Sequence, residues 1–222
     1  MVTKPSQPRL LADQAFECLR ELLRTAGLRE GQFVSISDLV TLTGFPLAPT
    51  REAVQKAAAL GLVSIVPKRG VLILEGDDEI ARQCLDLRCM FDQEGARRLC
   101  RQHDRERIVQ LMEVHRQIIQ EAQDKDVTTA LQRRAMTTDW DMHALLAEGL
   151  NNDTALALYT NNRDKLTIMY NSRPLLPDRL VPAFNEHLLI LQAILDHNEP
   201  AAVQAIADHY RQIHRWWGIL DD

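Results

Sequence analysis

Apolar residues recur every three or four positions over most of this chain, which predicts a protein built mainly of helices. The first such stretch has apolar residues at positions 11, 15, 19, 22 and 26 and ends at Gly27, where a glycine stops a helix at little cost. A short helix opening at Ser37 and ending at Gly44 follows, and a third runs from about Pro46 through Leu60. Two helices joined by a tight, glycine-containing turn form the helix-turn-helix pattern.

The pattern becomes strand-like after the third helix. Runs rich in β-branched residues at 62–66 and 71–74 flank the sequence PKRG at 67–70. This predicts a hairpin with two cations at its tip. Three helices and such a hairpin within residues 1–75 predict a winged helix-turn-helix domain. A small α+β domain with an incidental charged turn is the alternative.

The rest of the chain shows helical periodicity without a strand pattern. Loop signals, including the prolines at 174, 177 and 182, separate predicted helices at 79–102, 105–123, 126–149, 153–171, 181–197 and 199–218. Six helices without strands predict a bundle. The predicted fold is therefore mainly α, with a winged helix-turn-helix domain at 1–75 and an all-helical domain at 79–222.

Charge divides the chain along the same line. The net charge of −5 argues against a nucleic-acid partner, but residues 1–75 hold nine Lys/Arg and seven Asp/Glu, whereas the remainder holds 17 and 24. A mildly basic front and an acidic rear suit a DNA-binding head on a larger body. Because the sequence shows neither an apolar run of ~20 residues nor the apolar stretch of a secretory signal, we expect a cytoplasmic protein without a membrane partner.

Three motifs near the front carry a family resemblance. They are APTREAV at 48–54, LGLV at 60–63 and RGV at 69–71. With them the chain resembles the GntR family of regulators, in the FadR-like subgroup whose C-terminal, all-helical effector domain is called FCD. The resemblance implies a ligand-responsive transcriptional regulator that is not an enzyme and binds double-stranded operator DNA as a homodimer. It also implies a repressor, because release of DNA by the effector is the commoner response in the family.

The resemblance also implies which residues bind DNA. Thr50 and Arg51 fall in the first turns of the recognition helix, where a guanidinium can reach guanine or phosphate. Lys68 and Arg69 on the wing are expected to contact backbone phosphate. Gly70 is expected to permit the tight turn.

One departure from the family pattern affects this expectation. The chain has Pro46-Leu47 where Ser-Arg is usual. Proline has no side-chain acceptor to cap the recognition helix, and leucine cannot bind phosphate. We expect altered sequence specificity or weaker DNA binding.

A set of acidic and imidazole side chains could bind a metal in the helical domain. Asp139 and His143 are four residues apart on one predicted helix and share a face, while His187 and His209 lie on two others. A carboxylate and three imidazoles from three helices can converge on a divalent ion. From spacing alone, Asp139 and His143 could also be a surface pair, and Asp141 is a competing carboxylate expected to face solvent.

The family resemblance favours the metal site. The metal-binding branch of the FCD domain shows Asp-x3-His, a second His, and a third His 22 residues later, which implies Asp139, His143, His187 and His209 as ligands. Such ligands suit zinc, nickel, iron or manganese, and we expect zinc or nickel. The remaining histidines match no family ligand and are expected to be surface or structural groups: His103, His115, His197 and His214.

Two arginines are candidates for binding the effector. The resemblance places Arg88 on the first helix of the domain, where an arginine often faces the pocket. Its guanidinium could bind a small carboxylate, or it could form a salt bridge within the bundle. Arg134 is a second candidate, near the metal-bearing helix but not on the face of Asp139 and His143.

Two other classes of function remain open. A metal with an open coordination position could activate water in an enzyme, although the sequence shows neither a general base such as the Glu of HExxH nor a nucleophile–base pair. The departure at Pro46-Leu47 also allows a regulator-derived, ligand-binding protein that no longer binds DNA. A gel shift with promoter DNA separates this last class from a regulator.

Overall fold

The structure, a computed structural model, describes residues 10–102, 104–124, 127–172 and 177–219. The chain folds into two compact units. We call Met1–Asp77 together with Asp164–Arg173 the N-terminal unit, and Asp78–Arg163 together with Pro174–Asp222 the helical unit. The predicted domains meet near the same junction but leave residues 164–173 in the helical domain.

The described part of the N-terminal unit's first segment holds three helices and a small antiparallel sheet. The elements are α1 (Leu11–Arg24), β1 (Phe33–Val34), α2 (Ile36–Thr43), α3 (Leu47–Ala59), β2 (Val63–Val66) and β3 (Gly70–Ile73). The strand order is β1-β3-β2, with Val71 opposite both Val34 and Ile65. The winged helix-turn-helix prediction is confirmed, apart from β1, whose two residues are too short to show an alternating pattern.

The capping residue of α2 lies two residues before Ser37, the predicted opening of this helix. Ser35 caps the helix, because its Oγ accepts the Asp38 N–H at 3.1 Å while the Asp38 carboxylate accepts the Ser35 N–H at 3.3 Å. This reciprocal pair is a capping box. Ser35 rather than Ser37 opens the helix because only Ser35 has a carboxylate three residues later.

Residues far along the chain complete the N-terminal unit. Ile168 is buried in the same apolar core as residues of all three helices and of the sheet. The carboxylate of Asp164 accepts from Arg20 Nε at 2.9 Å and from Arg24 Nε at 2.6 Å. The amide of Asn171 donates to carbonyl oxygens at the end of α1. This second segment therefore contributes to the packing of α1.

Six further helices follow, as predicted. They are α4 (Asp78–Arg101), α5 (Arg105–Asp124), α6 (Thr129–Glu148), α7 (Asp153–Ser172), α8 (Pro177–Leu195) and α9 (Glu199–Trp217). The last turns of α7 belong to the N-terminal unit. Within the described ranges, no helix is both long and apolar enough to cross a membrane.

Pro182 lies inside α8, which begins at Pro177, four residues before the predicted start at 181. A proline within a helix removes one backbone hydrogen bond and crowds the preceding turn. Three of its neighbours, Leu180, Ala183 and Phe184, are buried in the apolar core, and this packing compensates for the lost bond. The predicted start at 181 was therefore too late, because the helix already begins at Pro177.

The close approach of α4 to α6 depends on a glycine, and replacing it should be costly. A Cβ added to Gly95 would overlap the carbonyl oxygen of Leu146, which is backbone and cannot rotate away. We expect Gly95→Ala to lower the free energy of unfolding by more than the ~1–3 kcal/mol typical of overpacking, despite the better helix propensity of alanine. Urea denaturation followed by circular dichroism measures the change.

Gly149→Ala is the matched control. Its Cβ would meet Cγ of Leu99 at 2.6 Å, a side-chain atom, and the carbonyl oxygen of Gly95 at 3.1 Å, a much longer backbone contact than the one at Gly95. The loss should therefore be smaller. Equal losses in the two variants would contradict the backbone contact at Gly95.

Candidate metal centre and nucleic-acid interface

Three buried imidazoles meet in the helical unit. His143 on α6, His187 on α8 and His209 on α9 are each at most 1% exposed. One ligand atom from each lies within 4.8 Å of the other two. The Nε2 atoms of His187 and His209 are 3.4 Å apart. Three of the four predicted ligands are therefore gathered from three helices.

Asp139 lies beside this cluster, one turn before His143 on α6. Its Oδ1 is 3.5 Å from Nε2 of His187 and 3.9 Å from Nε2 of His143. Its side chain is 18% exposed, so it is more accessible to solvent than the imidazoles. The competing carboxylate, Asp141, is exposed. The structure therefore brings all four predicted residues together.

Carboxyl groups form hydrogen bonds with the Nδ1 atoms of two of these imidazoles. Nδ1 of His143 donates to Oδ2 of Asp92 at 2.6 Å. Nδ1 of His209 donates to Oε2 of Glu186 at 2.7 Å. Oδ2 of Asp92 also accepts from the Tyr210 hydroxyl, so this oxygen is an acceptor towards His143 whether or not the carboxyl group carries a proton on Oδ1. An acceptor at Nδ1 places the proton of a neutral ring there and leaves Nε2 with a lone pair. Histidine ligands of metals commonly show this arrangement.

The Nε2 atoms of the three imidazoles are placed to bind a cation rather than to form hydrogen bonds with one another. Nε2 of His143 is buried and has no hydrogen-bond partner among the described residues. Two metal-bound nitrogens lie ~3.4 Å apart in a tetrahedral site with bonds of ~2.1 Å, and Nε2 of His187 and Nε2 of His209 are separated by 3.4 Å. The donor set can therefore hold a divalent metal ion.

Burial sets the charge of the imidazoles. Loss of hydration holds the pKa of His143 well below 6.5, and the positive charge of Arg88 acts in the same direction. Burial also lowers the pKa of His187. Both rings are therefore neutral near pH 7, which is the form that binds metal. Burial raises the pKa of Asp92 to about 7, against the opposing effects of Arg88 and Tyr210.

Arg88 is linked to the histidine cluster through hydrogen bonds. It is 0% exposed, and its Nε donates to the hydroxyl of Tyr210 at 2.7 Å. That hydroxyl donates to Oδ2 of Asp92 at 2.6 Å, the oxygen that also accepts from His143. The guanidinium lies 5.3 Å from the ring centroid of Trp140. Arg88 therefore places positive charge inside the helical unit beside the candidate metal centre.

The other effector candidate lies elsewhere. Arg134 is exposed and forms an ion pair with Glu121 at 2.7 Å, rather than lying with the buried imidazoles. His197 and His214 also make other contacts, the first donating to the Cys100 carbonyl and the second lying near Asp86. His103 falls outside the described residues.

Sequence reasoning missed the groups behind the imidazoles. A signal for one of them exists in α4, where the buried stripe Ala81, Leu85, Arg88, Asp92, Ala96 and Leu99 has helical spacing. Two charged residues inside an apolar stripe indicate a buried polar network. For Glu186, which Arg179 holds with two hydrogen bonds of 2.5 Å, no comparable pattern is present in the sequence.

On α3, the structure separates two residues that were predicted together as DNA contacts. Arg51 is exposed. Thr50 is 1% exposed, and its hydroxyl donates to the carbonyl oxygens of Phe45 and Pro46 at 3.1 and 3.0 Å. This corrects the prediction for Thr50, because its side chain supports the start of α3 and does not face a DNA-binding surface.

The start of α3 lacks a side-chain cap, as expected from Pro46-Leu47 in place of the usual Ser-Arg. Pro46 occupies the N-cap position, and no side chain caps the helix. Leu47, the first residue of α3, is 48% exposed. This helix therefore lacks the cap interaction that a serine would provide.

The wing presents two exposed cations between β2 and β3. Lys68 and Arg69 are both exposed. Gly70 has a φ of 117°, and a Cβ there would lie 2.6 Å from the carbonyl oxygen of Val34. The tight turn therefore requires glycine at position 70, both for its backbone conformation and for the approach of β1.

The helical part of the chain matches a known family. The family model described as "FCD domain" matches residues 83–212. A search of curated proteins finds no match to this chain.

Solved structures show the same fold over nearly the whole chain. E. coli McbR/YncC matches with a TM-score of 0.76 and 14% identity, over 95% of this chain and 99% of that one. A GntR transcriptional regulator from Rhodococcus sp. RHA1 matches with a TM-score of 0.77 and 17% identity, over the same shares. Lar, described as controlling the Listeria monocytogenes agr system, matches with a TM-score of 0.56 and 12% identity, over 97% and 100%.

Proposed function

Because the chain belongs to the FCD domain family, we propose that it is a transcriptional regulator of the GntR type and a metal-dependent repressor in the cytoplasm. In this proposal the N-terminal unit binds operator DNA, and the helical unit senses a small organic acid. The protein then acts by changing its affinity for DNA rather than by catalysis. The two halves of the proposal rest on different residues.

The histidine cluster carries the metal half. Asp139, His143, His187 and His209 would hold zinc or nickel, with three neutral imidazoles and one carboxylate as ligands. The observation that supports this most directly is the proton placement at His143 and His209, because carboxylates accept at Nδ1 and leave each Nε2 for a metal.

Zinc or nickel held by these four side chains can take more than four ligands and so bind a carboxylate as an additional ligand. The effector would bind there, near the part of the cluster where Asp139 reaches solvent. Arg88 would add positive charge from the buried side. The exposed ion pair of Arg134 with Glu121 offers no support for a role of Arg134 at this centre.

The exposed cations of the N-terminal unit carry the DNA half. Arg51 on α3 would contact base edges in the major groove, whereas Lys68 and Arg69 on the wing would contact phosphates. The first turn of α3 has no acidic residue to repel the DNA backbone. The uncapped start at Pro46 would change sequence preference rather than abolish binding.

A gel shift tests both halves together. The metal-loaded chain should retard a duplex selected from a randomised pool, and millimolar citrate or malate should release it. Coupling between effector and DNA sites of ~1–3 kcal/mol predicts a change of about 5- to 150-fold in affinity. Selection that enriches no duplex would contradict the DNA-binding function and favour a regulator-derived, ligand-binding protein.

The protein should be a homodimer in solution. A winged helix-turn-helix with few cations makes few phosphate contacts alone, so useful affinity at physiological salt needs two copies on two half-sites. Light scattering at micromolar concentration should give about twice the chain mass of 25.3 kDa. A particle of the single-chain mass under these conditions would contradict dimeric operator binding.

A further inference from the structure

His115 on α5 contacts the candidate metal centre, although it is not one of its proposed ligands. A histidine that matches no family ligand is expected to be a surface or structural group, and His115 is buried, at 0% exposure. Its ring centroid lies 4.7 Å from that of Phe184 and 5.3 Å from that of His187. Its Nε2 lies 3.2 Å from Nδ1 of His187.

The proton positions of this pair follow from one backbone contact. Nδ1 of His115 is 2.8 Å from the carbonyl oxygen of Leu111, which can only accept. A neutral His115 therefore carries its proton on Nδ1 and has a lone pair on Nε2. That lone pair accepts a hydrogen bond from Nδ1 of His187, which leaves Nε2 of His187 without a proton.

The contact with His115 matters because the proton of His187 has a second possible acceptor, the Asp139 carboxylate. Oδ1 of Asp139 lies 3.5 Å from Nε2 of His187. Without an acceptor at Nδ1, the proton of His187 would be attracted to Nε2, where it would face the Asp139 carboxylate. A protonated Nε2 cannot bind a metal.

We propose that His115 is a positioning residue that fixes the tautomer of His187, so that its Nε2 lone pair points towards His143 and His209. The metal-binding consequence rests on the proposed function, but the tautomer does not. The three imidazoles then have the same hydrogen-bond arrangement, since each has an acceptor at Nδ1. Asp92 and Glu186 serve the other two rings, whereas the acceptor behind His187 is a neutral imidazole that adds no negative charge to the core.

The first experiment reads the tautomer in the metal-stripped full chain. Long-range ¹H–¹⁵N NMR distinguishes a protonated Nδ1 from a protonated Nε2, and loss of the signal in His187→Ala assigns it. We expect the Nδ1–H form in the wild-type chain. In His115→Phe, which keeps a ring but has no acceptor, His187 should shift towards the Nε2–H form. In His115→Gln, whose amide oxygen can accept, the Nδ1–H form should be restored.

The second experiment measures zinc affinity of the same three chains by competition with a chromophoric chelator. Loss of a partner behind a metal-binding histidine typically weakens binding ~10–100-fold. We expect a loss of this size in His115→Phe and recovery to within a few-fold in His115→Gln. A merely space-filling role would give the opposite order, because phenylalanine preserves the ring and glutamine does not.

The outcomes separate this inference from the metal proposal. A protonated Nε2 on His187 in the wild-type chain overturns the role of His115, whether or not the variants fold. Unchanged tautomer and unchanged zinc affinity in His115→Phe overturn it as well. If the wild-type chain binds no zinc or nickel, the metal proposal fails, and the NMR result alone then decides whether His115 sets the tautomer.

Discussion

Stripping divalent metal from the full chain is expected to lower the melting temperature of the helical unit by roughly 10 °C. A ligand that binds only the folded state adds ~4 kcal/mol of stability at a thousand times its Kd, and each kcal/mol shifts the melting temperature of a protein this size by ~2–4 °C. The effect should be large because the ion would join α6, α8 and α9. Circular dichroism melts before and after chelation, and after adding zinc or nickel back, measure it.

Two histidine variants make this result specific. His187→Ala should melt like the stripped chain and should no longer respond to added metal. His197→Ala is the control, because His197 donates to the Cys100 carbonyl at 2.6 Å and lies outside the cluster. Loss of that bond shifts the baseline melting temperature of the variant, but its response to chelator and zinc should persist. A wild-type melting curve that ignores chelator would contradict the metal site.

Loss of the Arg51 guanidinium is expected to remove most specific DNA binding. A bidentate arginine–guanine contact is worth ~1–3 kcal/mol, and a dimer makes it twice, so Arg51→Ala should weaken specific affinity by about 30-fold or more. Lys68→Ala, by contrast, should weaken specific and random duplexes equally and reduce the dependence of binding on salt. Fluorescence anisotropy with both duplexes at several salt concentrations separates the two effects.

Arg133 provides the matched control for this experiment. It is an exposed arginine on α6 of the helical unit, so Arg133→Ala removes the same charge without changing the N-terminal unit. Its affinity for both duplexes should equal that of the wild-type chain. If Arg51→Ala also binds the selected duplex with unchanged affinity, α3 does not read the operator as proposed.

Much of the fold follows from periodicity, because burial of one helix face imposes a repeat that the sequence must show. The strand β1 could not be predicted in this way. Phe33–Val34 is too short to show a pattern, and it is a strand because it pairs with β3. The start of α8 was predicted too late for a different reason. Packing around Leu180 and Phe184 overrides the local loop signal of the prolines.

The proposed ligands of the candidate metal centre could be predicted from the sequence, but the residues that form hydrogen bonds with them could not. Asp139 and His143 share a helix face, and that spacing is visible in the sequence. The partners behind the imidazoles are not predictable in this way, because Asp92 and His115 come from α4 and α5, which meet α6 and α8 only in the folded chain. Which nitrogen of a histidine is available depends on such contacts, so spacing alone cannot establish it.

The two-segment make-up of the N-terminal unit bears on how such a head can be inherited or exchanged. A gene fragment ending at the junction after Asp77 would encode the recognition helix and the wing but not Asp164, Ile168 or Asn171. It would leave Arg20 and Arg24 without their shared carboxylate and leave a gap in the core where Ile168 packs. Recombination at that junction therefore transfers an incomplete domain. A functional transplant of the head requires compatible residues in the last turns of α7, so the two stretches are expected to have changed together during evolution.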